Sequence, residues 1–91
     1  MKKKSKIAYV ALAADILHEG HINILKTASL YGKVTVGLLT DKAIAMYKNL
    51  PYLNFERRKI IIKNIKYVNR VVPQNSIDHT ENLIKIKPDF V

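Results

Sequence analysis

A chain of 91 residues with no cysteine, 48% hydrophobic residues and a formal charge of +9 excludes several things at once. It is too short for more than one small domain, cannot build a disulfide framework or a thiolate metal site, and is too apolar to be disordered throughout. No apolar run is long enough to cross a membrane. The charge favours anionic ligands, from nucleotides and phosphorylated metabolites to nucleic acid and acidic lipid, without choosing among them. A solvated surface behind a lysine-rich tail gives the same charge. Asp15 and the histidines interrupt the apolar stretch that follows MKKKSK. That stretch is therefore not read as a signal peptide, and a cytoplasmic protein is expected.

In chain order, residues 1–5 read as a basic tail, and Lys6–Ala13, KIAYVALA, as a buried strand. From His21 the pattern turns helical, with Ile24, Leu25, Ala28 and Tyr31 on one face and Gly32 as the stop. Lys33–Leu39, KVTVGLL, alternates and is rich in β-branched residues, which predicts a second strand. Thr40 and Asp41 are cap candidates for a short helix over Lys42–Lys48. Leu50–Phe55, with Pro51, reads as a loop. Asn54 is placed to cap a helix from Phe55 to about Lys66, with Ile61, Ile65 and Val68 along one face. Arg70–Pro73 reads as a third strand. Asp78-His79-Thr80-Glu81 has the form of a capping box opening a last helix, which Pro88 ends, and Asp89-Phe90-Val91 reads as the start of a fourth strand. Strands and helices in this alternation predict an α/β doubly wound parallel sheet with right-handed crossovers. Residues 6–91 are then expected to be the N-terminal part of a single, longer domain.

His18-Glu19-Gly20-His21 lies where the first strand gives way to the first helix. In an open parallel sheet that end of the strands is where ligands bind. A helix N-terminus offers unpaired N–H groups and partial positive charge to an anion. Gly20 leaves room for a phosphate or for backbone to approach, and two imidazoles add donors that titrate near neutral pH. That is equipment for negative charge on a transferring phosphoryl group. Two other readings stay open: histidine as a structural helix cap, and histidine as a metal ligand. The second needs a third ligand, and the remaining histidine, His79, is distant in sequence.

The stretch Asp15-Ile16-Leu17-His18-Glu19-Gly20-His21 resembles the His-x-Gly-His signature of the cytidylyltransferase-like nucleotidyltransferases. Thr40-Asp41, Lys48 in MYKNLP, Glu56 and Arg58 in FERRK, the run from Tyr67 to Pro73, and Lys87-Pro88-Asp89-Phe90-Val91 follow in that family's order. The resemblance implies a Rossmann-like fold and attack of an acceptor phosphate or phosphonate oxygen on the α-phosphate of CTP, or of another nucleoside triphosphate, with loss of pyrophosphate. It implies magnesium carried with the triphosphate. It makes His18, His21 and Lys48 the catalytic candidates, and Ala13, Ala14, His18, Gly20, His21 and Arg58 the nucleotide-binding ones. A surface position for Lys48, and a pairing of Arg58 with Glu56 or Asp41, are the structural alternatives. Two departures stand out: Leu12-Ala13-Ala14-Asp15 replaces a common Gly-x-Phe-Asp, and Val68-Asn69 replaces a common Val-Asp. The family's later motifs, an acidic Gly-Asp-Asp-like segment and an Arg-x-x-Gly-Ile-Ser-Thr-Thr-like loop, are expected beyond Val91. The wording of the chain is most similar to modules of phosphonate metabolism, which points to 2-aminoethylphosphonate as acceptor. Glycerol-3-phosphate cytidylyltransferase is the more distant likeness.

Two other function classes compete. One is a non-catalytic nucleotide-binding or oligomerisation module, either a homodimer or fused to a further domain. The other is a basic nucleic-acid binder, against which stands the lack of aromatics interleaved with basic residues on any strand. Neither nucleic acid nor membrane is expected as a partner.

Overall fold

The computed structural model describes residues 6–14, 18–46, 53–76, 80–86, 88–89 and 91. They form β1 (Ile7–Leu12), α1 (Glu19–Ser29), β2 (Lys33–Leu39), α2 (Asp41–Ala45), α3 (Phe55–Lys63), β3 (Val68–Gln74) and α4 (Thr80–Ile86). The strands make one parallel sheet in the order β1-β2-β3. This is the α/β, Rossmann-like architecture that the alternation predicts. Two right-handed crossovers stepping in the same direction place α1 and α3 on the same face of the sheet. Leu25 of α1 and Ile62 of α3 accordingly share a core with Val34, Val36 and Leu38 of β2 and Leu12 of β1. β2 is buried from Val34 onwards, as a central parallel strand covered on both faces must be. Each fully buried side chain of this kind contributes roughly 1.5–3 kcal/mol.

The second face is built differently. By alternation it carries Tyr9, Gly37, Leu39 and Gln74. Leu39 packs with Ala43 and Ile44 of α2. Tyr9 crosses the middle of the sheet to donate its hydroxyl to Gln74 Oε1 at 2.5 Å, and Asn82 Nδ2 of α4 donates to the same hydroxyl at 2.9 Å. Burial pushes the Tyr9 phenol above its usual range. The crossing requires Gly37, because a Cβ there would overlap the Tyr9 ring and approach Gln74 Oε1. α4 therefore lies against the opposite face from α1 and α3.

Ile7 and Asp89 meet on the edge of β1 away from β2. Asp89 N–H donates to Ile7 O at 2.9 Å, and Ile7 N–H donates to the Asp89 carboxylate at 2.8 Å. A parallel strand directs both backbone groups of a residue to one neighbour. β1 thus has β2 on one side and the segment at Asp89 on the other, and the order of the chain reverses at β1. The fourth strand expected at Asp89-Phe90-Val91 is not formed at the described residues, where Asp89 is a bend held to Ile7 by one backbone and one side-chain bond. Phe90 lies outside the described residues, as do Asp78 and His79 of the predicted capping box.

Several boundaries move for local reasons. α1 starts at Glu19 rather than His21, because His18 takes the cap position. α3 ends at Lys63 rather than near Lys66, with Asn64 as its cap. The face predicted for α3 is corrected by one residue: Ile62 is fully buried while Ile61 is 42% exposed. Arg58 and Ile62, four apart, share the inward stripe, and Val68 belongs to β3. β3 gains Val68 through a bulge, where Val34 pairs with Val68 but Thr35 pairs with Arg70. The extra residue, Asn69, turns its side-chain oxygen to accept from Val34 N–H at 2.9 Å.

Candidate active site

The strands end in a set of turns that hold two distinct polar clusters. The first is the histidine turn. His18 sits at the N-cap of α1 with extended backbone, and His21 is three residues further, at N3. Gly20 N–H donates to His18 Nδ1 at 3.0 Å, and His18 N–H donates to His21 Nδ1 at 3.2 Å. This is the reciprocal logic of a capping box, with imidazole nitrogens in place of hydroxyl and carboxylate. The capping reading of the histidines is thus part of the structure.

Capping leaves each ring one nitrogen for other work. An Nδ1 that accepts from a backbone N–H has no proton of its own, so the neutral ring carries its proton on Nε2. Both rings are therefore fixed as Nε2 donors, with centroids 4.2 Å apart and planes tilted by 47°. His18 is exposed and His21 half-buried. Burial, and then the neighbouring His18, hold the His21 pKa below the usual imidazole range, which favours the neutral donor form. Gly20 permits the arrangement: a Cβ would lie 2.6 Å from His18 Cε1 and force the ring off the helix end.

The second cluster is centred on Arg58. Its side chain is fully buried, and four of its five N–H donors have described partners. Nε donates to Leu53 O at 3.0 Å, Nη1 to Ala13 O at 2.8 Å and Leu39 O at 2.6 Å, and Nη2 to the Asp41 carboxylate at 2.7 Å. One side chain ties together the ends of β1 and β2, the start of α2 and the approach to α3. Asn54 and Thr40 cap α3 and α2 beside it, accepting from Arg57 and Ala43 N–H. Of the two roles expected for Arg58, the structure gives the pairing, with Asp41 and not Glu56. Four of the five guanidinium N–H donors are spent inside the protein, which gives Arg58 a positioning role beside the nucleotide contact expected of it.

The remaining candidates fall as follows. Ala13 gives its carbonyl to Arg58. Ala14, buried, stands at φ 54°, in the left-handed region that costs a non-glycine residue about 1 kcal/mol or more. The chain therefore leaves β1 through a strained turn held from behind by Arg58, and reaches the histidine turn four residues later. Lys48 and Asp15 lie outside the described residues. Among the described residues no three His, Asp or Glu side chains gather as a metal cage.

Residues that the sequence reading did not single out include Tyr9, Gln74 and Asn82, which hold α4 to the sheet. A glycine in the middle of an otherwise β-branched strand, Gly37, was the available signal that another group passes close there.

Comparison with known proteins agrees with the fold. The chain belongs to the cytidylyltransferase-like family, whose sequence profile matches residues 13–91. An FAD synthase of Korarchaeum cryptofilum is 34% identical over 96 aligned positions, covering 100% of this chain and 65% of that protein. The glycerol-3-phosphate cytidylyltransferase of Bacillus subtilis is 32% identical over 85 positions, covering 84% of this chain and 66% of that protein. Among solved structures, a lipopolysaccharide core biosynthesis protein from Thermoplasma volcanium superposes with a TM-score of 0.88 at 26% identity, covering 94% of this chain and 71% of that one. The chain thus spans just under two thirds of the length of these two curated relatives.

Proposed function

We propose that this chain carries the triphosphate-handling part of a nucleotidyltransferase that moves a cytidylyl group from CTP to a small phosphate- or phosphonate-bearing acceptor. An acceptor oxygen attacks the α-phosphorus, a new P–O bond forms, the bond to the bridging oxygen breaks, and pyrophosphate leaves with both electrons of that bond. The single observation carrying this reading is the histidine turn. Both Nδ1 atoms are tied to backbone N–H groups, so two Nε2–H donors are fixed at a helix N-terminus on the ligand-binding end of a parallel sheet. His18 and His21 would stabilise charge on the phosphate oxygens in the transition state, and a donor of this kind contributes roughly 100- to 1000-fold in rate. Lys48 is proposed as the cation that neutralises the α-phosphate and acceptor. Gly20 keeps the approach open. Ala13 and Ala14 would present the strained backbone turn beneath the nucleotide, and Arg58 positions that turn from behind. Magnesium would come with the triphosphate, whose oxygens supply its ligands.

The base and acceptor are the finer parts of the proposal. Family membership and the Bacillus relative favour CTP, with 2-aminoethylphosphonate, glycerol-3-phosphate and ethanolamine phosphate as acceptors to compare. The Korarchaeum relative, named for FAD, favours an adenine nucleotide as a second reading. Pyrophosphate release from magnesium-CTP and magnesium-ATP, each with these acceptors and with FMN, tests them together. Release with one pair that collapses in His18→Ala supports the reading. Release unchanged in that variant would remove the histidines from the chemistry.

A further inference from the structure

The end of the sheet opposite the histidine turn holds an open cavity of about 530 Å³. Lys6, Lys33 and Lys66 line it together with Leu30, Tyr31 and Tyr67, and among the described residues no carboxylate does. All three lysines are exposed. Lys66 Nζ stands 5.1 Å from the centroid of the Tyr67 ring. Leu30 is 81% exposed and Tyr31 56% exposed, at the crest of the turn between α1 and β2. Lys2, Lys3 and Lys4 precede Lys6 in sequence.

We propose that this end docks on an anionic phospholipid surface, with Leu30 and Tyr31 entering the headgroup region and Lys6, Lys33 and Lys66 facing lipid phosphates. Three features choose a lipid surface over other anions. A discrete phosphate is held by free N–H groups, and here they are consumed: Leu30 N–H goes to Thr27 O, Tyr31 and Gly32 N–H to Ala28 O, and Lys33 N–H to Lys6 O. The C-terminal carbonyls of α1 further disfavour one closely bound anion, while a charged surface meets the lysines at a distance. An exposed leucine at the crest gives nothing to a nucleic acid, whereas a leucine and a tyrosine ringed by lysines suit an interface that is apolar below and anionic above. Gly32 sits so close to β1 that a Cβ would lie 2.6 Å from Lys6 O, and Lys33 N–H donates to the same carbonyl, which places Lys6 and Lys33 side by side next to the Leu30–Tyr31 turn. The expectation of no membrane partner rested on the lack of a spanning segment, and surface docking needs none. Docked this way, the chain keeps the histidine turn facing solvent.

Co-sedimentation of the full chain with vesicles tests the proposal, using phosphatidylglycerol and phosphatidylcholine in equal parts against phosphatidylcholine alone. Binding is expected only with phosphatidylglycerol, falling as salt rises. The double variant Lys33→Gln/Lys66→Gln is expected to weaken partitioning roughly 25-fold, at about fivefold per lysine. Leu30→Ser should weaken it while leaving its salt dependence unchanged. Circular dichroism of each variant confirms folding, and His21→Ala serves as a control that leaves vesicle binding intact. No sedimentation with phosphatidylglycerol would overturn the proposal. So would equal binding by the double variant, which would move the contact to Lys2, Lys3 and Lys4. Tighter binding to a random oligonucleotide than to vesicles, unaffected by Leu30→Ser, would assign the surface to nucleic acid instead.

Discussion

The histidine turn and the Arg58 junction lie at the same end of the sheet and use similar chemistry to opposite ends. Arg58 spends its guanidinium on the protein: three carbonyls and one carboxylate surround it, and none of it reaches solvent. His18 and His21 spend half of each ring on the protein and keep Nε2 for something else. A cationic or donor side chain near a binding end is thus not by that fact a ligand contact. What separates the two cases is how many of its hydrogen-bonding atoms the fold has already taken.

The largest break of this comparison is Arg58→Met. It removes the buried cation and leaves the carbonyls of Ala13, Leu39 and Leu53 without their donor, an expected loss of about 3–5 kcal/mol. Against a total of about 5–15 kcal/mol for a whole domain, that puts the variant near unfolding, visible as a collapsed urea midpoint. His21→Ala is expected to do the reverse. Its rate should fall roughly 100- to 1000-fold, while loss of one cap costs about 1 kcal/mol, or about 4–8 °C in Tm. Gly37→Ala should cost about 1–3 kcal/mol by driving Tyr9 from Gln74, without touching either cluster. Gly20→Ala, which displaces the His18 ring, should impair nucleotide binding more than stability, a split that calorimetry and thermal melts read separately.

The smallest effect is that of pH. The folded state holds His21 below its unfolded value of 6.5, so the unfolded chain takes the proton first. The His21 contribution is therefore fully present above about pH 6.5. It declines as pH falls towards the lower folded value and then levels off. Protonation of Nδ1 also cancels its role as acceptor in the cap. A thermal midpoint that declines below pH 6.5 in the native chain, and declines less in His21→Ala, checks both points.

Much of the fold was legible because it is written in periodicity. KVTVGLL gave β2 at its observed bounds, and Thr40 and Asn54 were readable as caps because their side chains act on their own helices. The histidine turn was legible as a place but not as a geometry. That His18 and His21 cap each other through Nδ1 depends on ring orientation, which no spacing encodes. Arg58 was the harder case: its pairing with Asp41 was one of the readings the sequence offered, but only the tertiary fold brings carbonyls separated by 45 and 19 positions in sequence onto the same guanidinium. The one-residue error at Ile61 has the same origin, since three consecutive isoleucines leave the inward stripe undetermined until Arg58 fixes it. The Tyr9 network was hidden because its members are 65 and 73 positions apart.

The most direct test of the central claim is the rate of pyrophosphate release from magnesium-CTP in His21→Ala beside the native chain, with thermal midpoints taken on the same samples. A rate lower by about 100-fold or more, with a midpoint shifted by only about 4–8 °C, is the predicted result. An unchanged rate, or a loss that merely follows unfolding, would contradict it and leave the histidine turn as a helix cap alone.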